Sequence, residues 1–133
     1  MKPPRRRFKI WIKTVFMSIK QAEIWLINLD PTIGSEIAKS RPCVVISHDE
    51  IGILPLKTVV PLTDWKARYK EYPWMVRLDP DPRNGLAKPS AVDTFQIKNI
   101  SERRFVKRLG AVTKAQLRLI HQSVIKTLDL DLL

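Results

Sequence analysis

A chain of 133 residues, 44% of them hydrophobic, is large enough for one domain with a modest core and too apolar for a disordered protein. The net charge of +11 points to a polyanionic partner, nucleic acid before membrane, and no apolar run is long enough to span a bilayer. The single cysteine, Cys43, excludes an intrachain disulfide and fits a reducing cytoplasm. Within an apolar run it is expected to act as a small hydrophobe rather than as a nucleophile.

Residues 1–18 differ from the rest and are predicted to be a basic extension ahead of a domain spanning residues 19–133. They carry +6 of the net charge and no acidic residue. Five apolar residues recur there at the spacing of a basic amphipathic helix: Phe8, Trp11, Ile12, Val15 and Phe16. A signal peptide is disfavoured because Lys13 interrupts the stretch and no small-residue cleavage site follows. We expect a poorly ordered or loosely docked extension with little role in function.

Short strands and one terminal helix are predicted for the remainder. Apolar or alternating runs indicate strands at 23–29, 42–47, 57–63, 73–78, 90–97 and 109–112. Pro61 cannot donate to a ladder, so it is expected at an edge, a bulge or a strand end. Asn84-Gly85 indicates a turn, and residues 101–105 fit one helical turn. Thr113 and Gln116 fit a capping box before a helix with an apolar stripe at Leu117, Ile120, Val124 and Leu128. This order suggests a small barrel.

The most distinctive stretch is DPTIGSEIAKSRPCVVIS at residues 30–47, a polar loop that runs into an apolar strand. Pro31 and Gly34 break regular structure, so residues 32–40 are predicted to be a loop. Arg41 lies at the junction, where a rigid strand can fix a side chain that faces solvent or ligand. Its spacing alone favours a solvated surface arginine.

Together with Glu23-Ile24-Trp25-Leu26, this stretch resembles the opening of the MazF/PemK family of toxin endoribonucleases. In that family a first strand runs into a P-x-x-G-S-E loop, an R-P pair and a hydrophobic strand. TVVPLT at 58–63 and DTFQIKNI at 93–100 are similar to later family segments, so the resemblance covers roughly residue 23 to the C-terminus. It implies a mainly β fold with a C-terminal helix, a small SH3-like barrel of the MazF/PemK/CcdB type.

The activity that the resemblance implies is cleavage of single-stranded RNA, mRNA above all, by a sequence-specific, metal-independent endoribonuclease toxin. Attack by the 2′-hydroxyl leaves 2′,3′-cyclic phosphate and 5′-hydroxyl ends. No cofactor is implied, and the isolated histidines His48 and His121 offer no zinc-site spacing. The resemblance further implies a cytoplasmic homodimer that binds RNA along its interface, and a cognate antitoxin whose disordered, acidic segment occupies that groove.

Transferred position by position, the catalytic arginine and threonine of the family match Arg41 and Thr63, and its loop glutamate matches Glu36, in or beside the site. In the family the arginine is proposed as acid and base, but an ordinary arginine stays protonated, so charge stabilisation is the safer role for Arg41. Glu36 is a candidate base, or it only orients Arg41. His48 is more often a solvated turn histidine, although histidine is a residue type that suits a base. Taken singly, Thr63 is an ordinary strand-end residue and Glu36 a solvated acid. His121 is expected to be structural.

Residues predicted to bind RNA lie in the central loop and in a segment that mixes aromatic and basic side chains, the combination that stacks and neutralises single-stranded RNA. Gln96 matches a glutamine in the fifth strand of the family, and its role stays open. The full set is Ser35, Lys39, Trp65, Lys66, Arg68, Tyr69, Lys70 and Gln96.

Two alternatives stay open. A CcdB-like toxin that poisons gyrase shares the barrel without the nuclease residues, and the presence of Arg41 and Thr63 argues against it. A basic nucleic-acid-binding module without chemistry would bind RNA with a steep salt dependence and leave it intact. The recognition sequence and the identity of the antitoxin do not follow from the sequence.

Overall fold

The computed structural model describes residues 18–130, so the predicted extension at 1–18 lies almost wholly outside the described residues. Seven strands, one α-helix and three short 3₁₀ turns follow one another in this part of the chain. The strands are β1 (Glu23–Asn28), β2 (Ser40–Val45), β3 (Leu56–Asp64), β4 (Met75–Leu78), β5 (Ser90–Asp93), β6 (Lys98–Ser101) and β7 (Phe105–Ala111). The helix α1 covers Lys114–Thr127, and the 3₁₀ turns cover Ala67–Glu71, Thr94–Gln96 and Glu102–Arg104.

The strands pair antiparallel in the order β4-β5-β3-β2-β1-β7, with β6 paired to the first half of β3. The long β3 is central, because one edge pairs with β2 while the other pairs with β6 over Leu56–Val59 and with β5 over Leu62–Asp64. Two register shifts between β1 and β7 add curvature at that end of the sheet.

The strand predicted over 90–97 ends at Asp93, and a 3₁₀ turn over Thr94–Gln96 separates it from β6, which begins after the predicted range. β5 ends at Asp93, whose side chain accepts a hydrogen bond from the Phe95 backbone N–H at 3.0 Å, as in an Asx turn. This break lets the chain pair with two different parts of β3. β5 pairs with the last residues of β3, and β6 pairs with the first residues of β3. The helical turn predicted near residue 101 is confirmed at Glu102–Arg104.

The prediction for Pro61 was wrong, since the residue pairs with Cys43 in the middle of the central strand. Val60 and Pro61 fall between the two stretches of β3 that pair with β6 and with β5. The edge of β3 that faces β5 and β6 is unpaired at these two residues. The amide donor that proline lacks would form no bond between strands on this edge, so proline is tolerated here.

Both faces of the sheet are covered by apolar side chains, which explains why β2 reads as a continuous hydrophobic run. Cys43 and Val45 belong to a cluster on one face, and Val44 and Ile46 belong to a second cluster that includes Ile120 of α1. Burial raises the pKa of the Cys43 thiol to about 12, so this side chain is a small hydrophobe, as predicted.

The closing helix begins at the predicted capping box. The Gln116 backbone N–H donates to Thr113 Oγ1 at 3.1 Å, and Thr113 N–H donates to Gln116 Oε1 at 2.8 Å. Ile120 is fully buried, whereas Leu128 caps the end of the helix and is exposed, so the apolar stripe stops one turn earlier than expected. Among residues 18–130, none of the helices has the length and apolar character needed to cross a membrane.

Candidate active site

A depression of about 320 Å³ opens where β2 and β3 diverge. The two strands pair from Val45–Val59 to Cys43–Pro61. Beyond that point β2 continues along β1, and β3 continues along β5, so no backbone ladder joins their ends. The structure brings Arg41 and Thr63 to this depression, together with Asp64 and Lys88, and we call it the Arg41–Thr63 depression.

Arg41 is the second residue of β2 and is exposed at the mouth of this depression. Its Nε donates to the Ala38 carbonyl at 3.3 Å, a weak contact within its own loop. Within residues 18–130 the guanidinium has no ion-pair partner, and its terminal nitrogens make no hydrogen bond. A planar group with this many unused donors is suited to hold two phosphate oxygens at once.

Thr63 is half-buried near the end of β3, directly opposite Ala91 of β5. Its hydroxyl has no hydrogen-bond partner among the described residues, so it is available to a ligand. The neighbouring Asp64 is already engaged, because its Oδ2 lies 3.1 Å from Lys88 Nζ in an exposed ion pair at the rim. Among the charged side chains that line the depression, Arg41 is therefore the one without an ion-pair partner among the described residues.

The opposite wall is the turn at residues 79–89, where the Asn84-Gly85 prediction is confirmed. The fully buried Asn84 donates from Nδ2 to the Asp79 carbonyl at 2.8 Å and accepts from Leu86 N–H at 3.0 Å. Gly85 has a φ of +68°, and a Cβ on it would lie 2.1 Å from the Leu109 carbonyl oxygen. Only glycine allows this close approach, which holds the turn against β7.

The structure does not bring Glu36 to the Arg41–Thr63 depression. Glu36 lines a second depression of about 380 Å³ together with Ser35, Phe95, Gln96, Ile97 and Lys98, and we call it the Glu36–Gln96 depression. The Glu36 Oε1 atom accepts from the Ile33 backbone N–H at 2.6 Å, which tightens the loop. Three of the predicted site residues thus share a separate but neighbouring surface.

Gln96 ties this loop to the sheet through a partner that sequence reasoning missed. Its Oε1 accepts from the Ile37 backbone N–H at 2.7 Å, and its Nε2 donates to Asp93 Oδ2 at 3.1 Å. Asp93 is buried, and burial raises the pKa of its carboxyl, although hydrogen bonds from Phe95 and Gln96 offset part of that effect. The sequence signal for this turn was Asp93 itself, because aspartate favours turns and stands directly before Thr94-Phe95-Gln96.

The predicted aromatic and basic segment forms the 3₁₀ turn Ala67–Glu71 and its flanks. The Trp65 and Tyr69 rings meet edge to face at 5.8 Å, and the Arg68 guanidinium lies 5.2 Å from the Tyr69 ring centroid. Lys66 and Lys70 are exposed beside them. Sequence reasoning missed that this ring contact continues to Tyr72, Trp74 and Phe95.

The remaining candidates lie elsewhere. His48 follows the far end of β2, where its Nδ1 accepts from Glu50 N–H at 3.1 Å, and it lines neither depression. The prediction that His121 is structural is confirmed, because its Nε2 lies 3.0 Å from the Ile46 carbonyl and joins α1 to the sheet. Lys39 has a φ of +66°, and its backbone closes the loop against Leu29 and Asp30.

Possible metal ligands do not cluster in the part of the chain that the structure describes. No group of three or more His, Cys, Asp or Glu side chains is placed there to hold a metal ion.

Comparison with known proteins identifies the family. The family model described as "PemK-like, MazF-like toxin of type II toxin-antitoxin system" matches residues 20–128. Endoribonuclease MazF9 of Mycobacterium tuberculosis is 33% identical over 118 residues, which cover 84% of this chain and 98% of that protein. Endoribonuclease MazF2 of Mycobacterium bovis is 29% identical over 115 residues, covering 86% and 100%.

Solved structures share the fold. MazF from Deinococcus radiodurans superposes with a TM-score of 0.70 at 22% identity, covering 84% of this chain and 97% of that one. A mycobacterial endoribonuclease in complex with its cognate antitoxin gives 0.68 at 17% identity, covering 87% and 100%. The predicted barrel fold with a C-terminal helix is confirmed, and the chain belongs to the PemK-like, MazF-like family of toxins of type II toxin–antitoxin systems.

Proposed function

We propose that this protein is an endoribonuclease toxin that cuts single-stranded RNA, mRNA above all, at a specific sequence and without a metal ion. The observation that carries the proposal is that Arg41 and Thr63 meet at one open depression. Among residues 18–130, the terminal nitrogens of Arg41 and the hydroxyl of Thr63 make no hydrogen bond to the protein. Family membership and the 33% identity to an endoribonuclease support the same activity.

The proposed chemistry is an in-line displacement within the RNA. The 2′-oxygen forms a bond to the adjacent phosphorus, the bond to the 5′-oxygen breaks, and a 2′,3′-cyclic phosphate and a 5′-hydroxyl result. One proton leaves the 2′-hydroxyl and one is delivered to the 5′-oxygen, so the reaction needs no other reactant. Arg41 holds the non-bridging oxygens as negative charge grows on the phosphorane, and the Thr63 hydroxyl donates to it.

Glu36 can act as the base for the 2′-hydroxyl only if the loop that carries it moves to the Arg41–Thr63 depression, because a base must reach the hydroxyl beside the phosphate that Arg41 and Thr63 hold. One of its carboxylate oxygens is held by Ile33 N–H, and the other has no partner among residues 18–130. An RNA strand that crosses from the Arg41–Thr63 depression to the Glu36–Gln96 depression would contact both surfaces. His48 is the weaker candidate, because β2 places it beyond the opposite strand end from Arg41.

The proposed partners are a second copy of this chain and an antitoxin. The antitoxin complex of the mycobacterial relative supports the second partner. A net charge of +11 suits both RNA and an acidic, disordered peptide that would compete for the same surface.

The basic extension at 1–18 is proposed to be dispensable, so a variant beginning at Met17 keeps its cleavage rate. We further propose that the toxin acts in the cytoplasm.

The test is incubation of the purified protein with a long RNA in EDTA, followed by analysis of the fragment ends. A DNA strand and an RNA that is 2′-O-methylated at the cut site serve as uncleavable controls. Arg41→Ala is compared with Arg118→Ala, which removes an exposed arginine from α1. We expect discrete fragments with cyclic-phosphate ends from the Arg118 variant and none from the Arg41 variant. RNA that is bound but left intact would instead support a binding module, and gyrase inhibition a CcdB-like toxin.

A further inference from the structure

Phe95 is 70% exposed, an unusual position for a phenylalanine that the backbone holds firmly. Its N–H donates to the buried Asp93 carboxyl at 3.0 Å. The preceding residue, Thr94, is fully buried and hydrogen-bonds the Trp74 carbonyl from both its N–H, at 2.9 Å, and its hydroxyl, at 2.8 Å. The structure therefore presents the Phe95 ring outward on a fixed backbone, and little freedom of that backbone is left to lose on binding.

The ring ends a continuous series of aromatic contacts. Trp74 lies 6.4 Å from Phe95 and stacks on Tyr72 at 4.7 Å with an interplanar angle of 11°. Tyr72 contacts Tyr69, which contacts Trp65, the residue directly after Asp64. Because Asp64 lines the Arg41–Thr63 depression, the series runs from the edge of the candidate active site to Phe95.

Cations accompany the rings. Arg68 and Arg77 lie over the Tyr69 and Trp65 rings at 5.2 Å and 5.1 Å. Phe95 separates two depressions, and each contains a lysine: Lys98 in the Glu36–Gln96 depression, and Lys126 in one of about 280 Å³ lined also by Pro73, Trp74 and Thr127. A ring flanked by cations on two sides complements a base between two phosphates.

We propose that Phe95, backed by Trp74, is a base-stacking subsite for an unpaired nucleobase of the RNA, at a distance from the cleaved phosphate, with Lys98 and Lys126 neutralising the phosphates on either side. This inference rests on the proposed function and adds a residue that positions the substrate. Among the possible occupants, RNA is favoured over protein by the positive charge and by the continuity of the rings with the Arg41–Thr63 depression.

The test uses the full chain and a short 2′-O-methylated RNA of mixed sequence carrying 2-aminopurine, whose fluorescence is quenched when it stacks. Phe95→Ala is compared with Phe95→Trp, which keeps an aromatic face, and with Leu119→Ala, which removes another exposed apolar side chain, from α1. Base–aromatic stacking is strong enough that we expect Phe95→Ala to weaken binding about tenfold and to abolish quenching. In cleavage assays KM should rise with little change in kcat, and Phe95→Trp should restore both readouts.

Unchanged affinity and quenching in Phe95→Ala would overturn the subsite, as would equal binding by Phe95→Leu and Phe95→Trp. Loss of the dimer in Phe95→Ala by sedimentation would assign the ring to a subunit interface. Loss of antitoxin affinity alone, with RNA affinity unchanged, would assign it to that protein. Phe95-dependent quenching in a protein that cuts no RNA would uphold the subsite and contradict the nuclease activity, so the two proposals fail separately.

Discussion

Arg41 and Thr63 both line the depression that opens where the pairing between β2 and β3 ends. Cys43 and Pro61 are the last residues of these strands that pair with each other, and Arg41 and Thr63 each lie two residues further on. Side chains two residues apart on a strand return to the same face, so each shares the face of the paired residue behind it. The rigid, doubly covered sheet thus fixes two donors around a gap of about 320 Å³, near the lower limit for small-ligand sites at about 300 Å³.

Replacing Arg41 by lysine separates charge from geometry. Arg41→Lys keeps the positive charge but loses the planar fork, so we expect kcat to fall about 10²-fold or more, and further in Arg41→Ala. Stability should change little, because the side chain is exposed and its one hydrogen bond is long. Single-turnover cleavage and thermal melts measure the two effects, with Arg118→Lys as the control. Equal activity of Arg41→Lys and the unsubstituted protein would rule out a bidentate role.

Thr63→Val removes a hydroxyl without changing the shape of the side chain. Because that hydroxyl has no partner among the described residues, and valine is well suited to a strand, the melting temperature should stay within a few degrees of its original value. If the hydroxyl donates to the phosphorane, cleavage should fall about 10²-fold, and Thr63→Ser should recover most of it. A Thr63→Val variant that cuts at the full rate would exclude Thr63 from the chemistry.

Gly85→Ala tests whether the turn at residues 79–89 depends on close packing or only on its left-handed conformation. A Cβ at Gly85 would lie 2.1 Å from the Leu109 carbonyl oxygen, whereas one at Gly52, which has a φ of +81°, would meet nothing within 4 Å. Gly52→Ala should therefore cost about 1–2 kcal/mol of unfolding free energy, the left-handed penalty alone. Gly85→Ala should cost clearly more in urea unfolding. Similar losses in the two variants would mean that the turn yields easily.

Local signals explain what could be predicted from the sequence. The capping box at Thr113, the turn at Asn84-Gly85 and the loop around Gly34 depend on neighbouring residues, and the continuous apolar run of β2 reflects burial of both faces. The match to a family identified Arg41 and Thr63, which meet only because two strands diverge. No local signal reveals such a divergence.

Features that depend on distant contacts were missed. The strand break after Asp93 follows from a buried carboxyl that also orients Gln96 toward a loop almost sixty residues earlier. The separation of Glu36 from Arg41 follows from that same attachment, since it draws the loop toward the 3₁₀ turn at Thr94–Gln96. A sequence pattern identifies each candidate site residue separately, but it does not show on which surface of the folded protein that residue lies.

Asp93→Asn should loosen the loop between β1 and β2 and change how stability varies with pH. Asparagine can still accept from Phe95 N–H, but its amide NH₂ faces the NH₂ of Gln96. Gln96 must flip or lose this contact, and a flip sets its NH₂ against Ile37 N–H. Hydrogen exchange of the Ile37 amide should therefore accelerate in this variant. Asp129→Asn, at an exposed position just after α1, should leave that exchange unchanged.

The pH dependence has a definite sign. The pKa of Asp93 is raised in the folded protein, so between the unfolded value, about 3.9, and the folded value the native state binds more protons than the unfolded state. Its contribution to stability therefore grows as the pH falls through the folded pKa and levels off below the unfolded one. Relative to Asp93→Asn, the unsubstituted protein should gain unfolding free energy on acidification from neutral pH. A difference that is constant with pH in urea titrations would show that the carboxyl is not perturbed by burial.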